Sequence, residues 1–124
     1  MKVLFAAAEV APFSKVGGLA DVMGSLPKYI EKKAEIAIFT PLHGSINKEK
    51  FDIKEYPDSE MWITFGNQGH KFKLHYCKLP DTKINVFFIE NDWYFGCFKE
   101  VYPKYLDTRY EHERYVAFSL AVLE

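Results

Sequence analysis

The sequence is poor in cysteine, and Cys77 and Cys97 are its only two. They are too few and too far apart for a disulfide framework or a zinc site, so both are read as reduced thiols. Long hydrophobic runs are missing as well. The most apolar stretches, residues 3–8 and 86–89, fall far short of the roughly 20 residues that span a bilayer. At the N-terminus one lysine precedes a short apolar run that stops at Glu9, without the long apolar segment and cleavage site of a signal peptide. These absences lead to the expectation of a cytoplasmic protein that does not enter a membrane. Neither sign of charge dominates: 16 basic and 17 acidic residues leave a net charge of −1. No basic block supplies the electrostatic footprint of a nucleic-acid binder. His43, His70, His75 and His112 share no metal-ligand spacing. Repeats, low-complexity tracts and linkers are lacking too, so the 124 residues read as one domain, long enough to bury a core.

What is present is an α/β pattern. Residues 2–8 form a continuous apolar run, which predicts a strand buried on both faces, as in a parallel sheet with helices on each side. Pro12 interrupts regular structure, and residues 14–18 read as a loop. From Leu19 the apolar positions Leu19, Val22, Met23, Leu26 and Ile30 have helical spacing and predict one face turned to a core. Pro27 predicts a kink or break in that helix, because it removes a backbone donor. Glu35–Pro41 reads as a second strand, completing a βαβ unit. Further on, residues 51–56 are a short candidate strand. Met61–Phe65 and residues 71–79 flank two glycines suited to a hairpin turn, and the second arm alternates. Phe72, Leu74 and Tyr76 lie on one face of that arm, while Lys71, Lys73 and His75 are expected on a wet face. Residues 84–89 predict a buried parallel-type strand, residues 99–102 a short helix, and residues 110–124 a helix wetted on little of its surface.

Lys15-Val16-Gly17-Gly18 follows the first strand and precedes a helix, where open α/β sheets bind ligands. Adjacent glycines let a backbone approach a ligand closely and leave N–H groups free to point at it. A helix N-terminus favours an anion, and Lys15 adds a full charge suited to a diphosphate. The same residues also fit a plain turn with a solvated lysine. The spacing is neither G-x-G-x-x-G nor that of a P-loop. The run Asn91-Asp92-Trp93-Tyr94-Phe95 invites a sugar-stacking reading, but an aromatic cluster in a small domain more often packs in the core.

Four segments in order carry a resemblance: Lys2-Val3-Leu4-Phe5, Glu9-Val10-Ala11-Pro12-Phe13, Lys15-Val16-Gly17-Gly18-Leu19-Ala20-Asp21-Val22 and Gly24-Ser25-Leu26-Pro27-Lys28. Together they resemble the N-terminus of glycogen and starch synthases, the ADP-glucose-dependent enzymes of glycosyltransferase family 5. The resemblance implies the Rossmann-like N-terminal half of a GT-B fold, a mostly parallel sheet with an antiparallel hairpin inserted. It implies transfer of glucose from ADP-glucose to the non-reducing end of an α-1,4-glucan with retained configuration, and no metal or other cofactor. Lys15 is then the diphosphate contact, and Gly17 and Gly18 give the close backbone approach. Glu9 is a candidate glucan contact and Asp21 a candidate for shaping the loop; either carboxylate also fits a purely structural role as cap or dipole partner. The resemblance returns at Arg114-Tyr115, Phe118-Ser119 and Val122-Leu123-Glu124, similar to the family's R-F-x-x-F-S-x-A-x-L-E helix. Where the family has an Asp four residues ahead of that arginine, this chain has Tyr110, leaving Glu111 or Glu113 as substitutes. The family's H-x-x-D-W segment and nucleotide-binding C-terminal half are expected beyond Glu124, so the chain alone is expected to be inactive. A non-catalytic module binding glucan or an anion is the alternative.

Overall fold

The computed structural model describes residues 1–124. Six strands and two α-helices follow one another as β1 (Lys2–Ala6), α1 (Gly18–Ile30), β2 (Glu35–Pro41), β3 (Lys54–Glu55), β4 (Met61–Phe65), β5 (Gln68–Lys78), β6 (Asn85–Glu90) and α2 (Thr108–Leu123). The sheet runs β1-β2-β6-β5-β3, with β4 paired to β5. Strands β1, β2 and β6 are parallel, and β5 turns the direction, pairing antiparallel to β6, β3 and β4. The architecture is the expected α/β one, with the hairpin added at one side. Register Phe65 to Gln68 makes its turn two residues, Gly66-Asn67, and Gly66 sits at φ 63°, where a side chain would be strained.

Two cores lie on opposite faces of the sheet. On one, Ile36, Ile38, Val86 and Phe88 meet Met23 of α1 and Val10 and Phe13 of the loop after β1. On the other, Ile89, Phe72 and Ile63 meet Ala117, Phe118 and Ala121 of α2. The parallel segment that connects the two faces has alternate buried side chains on each, as a strand inside a sheet requires.

Several sequence expectations are corrected. β1 is an edge strand and not buried on both faces: Leu4 is 53% exposed, because no helix of this chain covers that side of β1. The buried stripe of α1 is Ala20, Met23 and Pro27, whereas Leu19, Val22 and Leu26 face outward together with Tyr29. Close approach decides this orientation. A Cβ on Gly24 would come 2.7 Å from the Ala11 carbonyl oxygen, and the Ala11 N–H donates to the Ala20 oxygen. The glycine face of the helix is therefore the one that meets the loop. The helix runs through Pro27 for one further turn instead of breaking there, the lost hydrogen bond falling near its end. His75 is buried, not wet, since its imidazole pairs with the Glu90 carboxylate on the neighbouring strand. The candidate strand at residues 51–56 shrinks to Lys54–Glu55. Residues 99–102 are turns; the helical piece is instead a π-helical turn at Asp92–Gly96, capped by the Asn91 side chain, which accepts from the Tyr94 N–H at 2.9 Å. On α2, Val116 and Leu123 are exposed, so that helix is apolar on two faces and covered on one.

Candidate functional site

The loop residues singled out by the sequence follow the carboxyl end of β1, and Asp21 lies in the first turn of α1. Glu9, three residues past β1, is 2% exposed, and its Oε2 accepts the Val16 N–H at 2.6 Å and the Gly17 N–H at 3.4 Å. Two of the N–H groups expected to be free are thus held by a carboxylate, which pins the loop from beneath. Gly17 is the N-cap of α1 in extended backbone, and no side chain caps the helix, so its first-turn N–H groups have no side-chain acceptor. A Cβ on Gly17 would meet only Glu9 Oε1 at 3.9 Å, and one on Gly18 nothing within 4 Å. Neither glycine is required by its packing within the chain, in contrast with Gly24. The space they leave open is at the surface, beside the uncapped helix end. Lys15 Nζ lies 2.8 Å from Asp21 Oδ1, both side chains more than half exposed. The loop therefore carries one exposed cation beside it and a helix dipole behind it, a setting that suits an anion. Glu9, Lys15, Gly17, Gly18 and Asp21 form one group, with Asp21 holding Lys15 in place of an outside partner.

Deeper in the same rim the structure brings in residues the sequence did not single out as a site. His43 follows the end of β2 and is 1% exposed; its Nε2–H donates to the Ala8 carbonyl at 2.6 Å, leaving Nδ1 without a partner. Arg114 of α2 is fully buried. Its Nε donates to the Tyr94 carbonyl at 2.7 Å and its Nη2 to that of Val101 at 3.4 Å, while Nη1 has no partner. The Phe95 ring stands between them, 6.0 Å from the His43 ring centroid and 5.1 Å from the guanidinium carbon. Thr40 Oγ1 and the Tyr115 hydroxyl are likewise buried and unpaired. Buried polar atoms without partners are rare, which makes this group a candidate part of the site. Burial also raises the hydroxyl pKa of Tyr102 and Tyr115, with Glu9 as a further negative neighbour. Only burial and unpaired atoms reveal this group, and neither is visible in a sequence without an alignment.

Burial lowers the pKa of His43, with Arg114 adding to the effect against the opposing Ala8 hydrogen bond and Glu9. A histidine held below its ordinary value is neutral in the fold and protonates first in the unfolded chain. Its contribution is therefore present above about pH 6.5 and lost as pH falls below it. The melting temperature of the chain should drop between pH 7.5 and pH 5.5, and His43→Gln should flatten that drop. An unchanged slope in the variant would mean other groups carry the acid sensitivity.

The place where an aspartate was expected is occupied differently. Tyr110 sends its hydroxyl to the Trp93 carbonyl, Glu113 pairs with Arg109 at 3.2 Å, and Asp107 caps α2 by accepting the Arg109 N–H at 2.7 Å. Cys77 is buried, which pushes its thiol up to about 11, in keeping with an unreactive cysteine. No helix is long and apolar enough to cross a membrane.

Comparison with known proteins bears on this geometry. The family described as starch synthase catalytic domain matches residues 2–124. A glycogen synthase of Pseudothermotoga lettingae is 44% identical over 77% of this chain and 21% of its own length. The glycogen synthase of Thermotoga maritima is 40% identical over 82% of this chain and 22% of its own. Glycogen synthase 1 of Geobacter sulfurreducens is 32% identical over the whole chain and 25% of its own length. The catalytic domain of starch synthase IV from Arabidopsis thaliana, solved bound to ADP and acarbose, superposes with a TM-score of 0.80 at 27% identity, over 98% of this chain and 24% of that one. This chain thus spans about a quarter or less of the length of these relatives, and its fold matches the corresponding part of a GT-B catalytic domain.

Proposed function

The chain belongs to the starch synthase catalytic-domain family, and from that premise we propose that it forms the acceptor-side, N-terminal part of a glycogen synthase. Joined to the nucleotide-binding half that its relatives' length allows for, it takes part in moving glucose from ADP-glucose to the non-reducing 4-hydroxyl of an α-1,4-glucan, with retained configuration. The observation that carries this reading is the unfilled space at Gly17 and Gly18 beside an uncapped helix start, with Lys15 above it. In this reading the diphosphate takes the place of the Asp21 carboxylate on Lys15. The lysine then offsets charge that grows on the departing diphosphate, and no metal is required for that step. Glu9 acts from below, fixing the Val16 and Gly17 N–H groups so that the loop keeps its shape when the ligand arrives. His43 and Arg114 lie deeper at the same rim and hold its shape, His43 through the Ala8 carbonyl and Arg114 through those of Tyr94 and Val101. The protein works in the cytoplasm.

The outward apolar stripe of α1, Leu19, Val22 and Leu26, and the bare face of β1 at Leu4 support a further part of this reading. Apolar stripes left uncovered on a helix and a strand point to a further covering surface, and in this reading these faces pack against other parts of the synthase. The test is glucosyl transfer. Residues 1–124 are grafted in place of the matching segment of the Thermotoga maritima relative, and label from ADP-glucose is followed into glycogen. The graft is expected to transfer glucose, and the 124-residue chain alone to transfer none, because half a cleft holds the donor weakly. Transfer by the isolated chain, abolished by Lys15→Gln, would overturn the two-part reading; a folded graft without activity would overturn the synthase reading itself.

A further inference from the structure

Both tryptophans of the chain are exposed, Trp62 at 69% and Trp93 at 65%, and neither belongs to the group around Lys15. They line one cleft of about 790 Å³, together with Gln68, His70, Lys71, Lys73, Glu90, Asn91 and Asp92. We propose that this cleft is a second carbohydrate site, in which Trp62 and Trp93 stack against an α-1,4-glucan chain while its hydroxyls bond to Asp92 and Gln68.

Topology brings the two rings together. β5 pairs Lys73 with Glu90, the last residue of β6, so residues 68–72 overhang the carboxyl end of β6. That is the rim on which the glycine loop also lies. Trp62 stands opposite Lys71 on the outer face of the hairpin, close to Gly69, where a Cβ would come 3.8 Å from the indole. Trp93 leaves the rim on the π-helical turn. Its neighbours Tyr94 and Phe95 are buried at 1% and 0%, so packing accounts for two aromatics of that run and not for the third. The backbone that presents Trp93 is held firmly. Its carbonyl accepts from the Tyr110 hydroxyl, and the Asn91 side chain donates to the Lys71 carbonyl at 3.0 Å, bracing the turn against the hairpin. The turn that carries Trp93 is thus tied to the hairpin that carries Trp62.

Its chemistry selects a neutral polyhydroxyl ligand. Lys71 pairs with Glu60 at 3.0 Å and Lys73 with Glu55 at 3.2 Å, so neither lysine leaves an unpaired positive charge at the cleft. A phosphate or a nucleic acid would find no free positive field there. Asp92 makes no ion pair or side-chain hydrogen bond and is open to a sugar hydroxyl. A pyranose ring has one face of C–H groups and a rim of hydroxyls, which is what flat indoles and scattered polar groups accommodate; the pocket is also of ligand-binding size. Glu90 and Asp92 also line a smaller neighbouring cavity with His43 and Gly44. The choice of an α-1,4-glucan among carbohydrates rests on the synthase reading. The presence of a carbohydrate site rests on the cleft alone.

Calorimetric titration of the 124-residue chain with maltoheptaose tests it. Saturable binding is expected, weakened about tenfold or more by Trp62→Ala and by Trp93→Ala, a loss of about 1.4 kcal/mol each. The exposed positions of both rings predict unchanged melting temperatures in the tryptophan variants, so lost binding would not be lost folding. Absence of binding by the folded chain at millimolar maltoheptaose, or binding that survives both substitutions together, would overturn the site. Loss of binding in Lys15→Gln but not in the tryptophan variants would place the glucan at the glycine loop instead, and so would also overturn it. Equal binding of cellopentaose would overturn the α-glucan assignment. None of these outcomes depends on glucosyl transfer by the graft, so failure of this site and failure of the synthase reading remain distinguishable.

Discussion

Lys15→Gln in the grafted synthase is expected to lower kcat/KM for ADP-glucose by roughly a hundredfold or more, the scale of losing one group that stabilises charge in a transition state. Glutamine keeps most of the length of lysine and can still hydrogen-bond, but it brings no charge to a departing diphosphate. The cost to folding should be slight. Lys15 and Asp21 are both more than half exposed, and an ion pair in that position contributes about 1 kcal/mol at most. The combination separates a ligand role from a structural one: activity falls steeply while the melting temperature hardly moves. Lys15→Arg should retain part of the activity, since the charge remains while its shape changes. A glutamine variant within about threefold of the parent in kcat/KM, again against the hundredfold scale of such groups, would remove Lys15 from the site.

Arg114→Ala should have the largest effect on stability, about 3–5 kcal/mol, read as a lowered urea midpoint at 25 °C. The side chain is fully buried between the Phe95, Phe98 and Tyr115 rings, with guanidinium-to-centroid distances of 5.1, 5.3 and 5.8 Å. Truncation opens a cavity among those rings and leaves the Tyr94 and Val101 carbonyls without their donors. Such a loss is a large part of the whole stability of a small domain. Arg114→Met should be milder than alanine, because it fills most of the volume and removes a charge that is costly to bury. Alanine and methionine variants of equal stability would show that the hydrogen bonds, and not the volume, dominate. A loss below about 1 kcal/mol for alanine would contradict the packing described for α2, given what emptying a core site usually costs.

Much of the architecture was legible in the residues. The βαβ start, the hairpin and the final helix all appear near where period and turn chemistry placed them, although the turn expected over residues 66–69 tightens to Gly66-Asn67. These are local features, decided by steric preferences over a few neighbours along the chain. The glycine loop was legible for the same reason, since strand, loop and helix follow one another within about 30 residues. What went astray was burial. The apolar positions of α1 read as one core-facing stripe, yet the helix buries Ala20, Met23 and Pro27 and leaves Leu19, Val22 and Leu26 outside; the close approach of Gly24 to Ala11 decides it. His75 alternates with lysines and so reads as wet, yet a partner fifteen residues away along the chain, Glu90, draws it into the sheet.

By itself, the sequence determined the order of strands and helices, the loop of Lys15, Gly17 and Gly18, and the kinship with starch synthases. Only the tertiary structure decided that Glu9 would tie down that loop, that His43 and Arg114 would be buried with unpaired nitrogens, and that two distant tryptophans would share a cleft. The reason is physical. Backbone preferences act between residues close in the chain and can be read in order, whereas burial and pairing depend on which distant surfaces meet. Those meetings follow from the pairing of β2 with β6, strands far apart in the sequence, and from the way β5 folds back on β6.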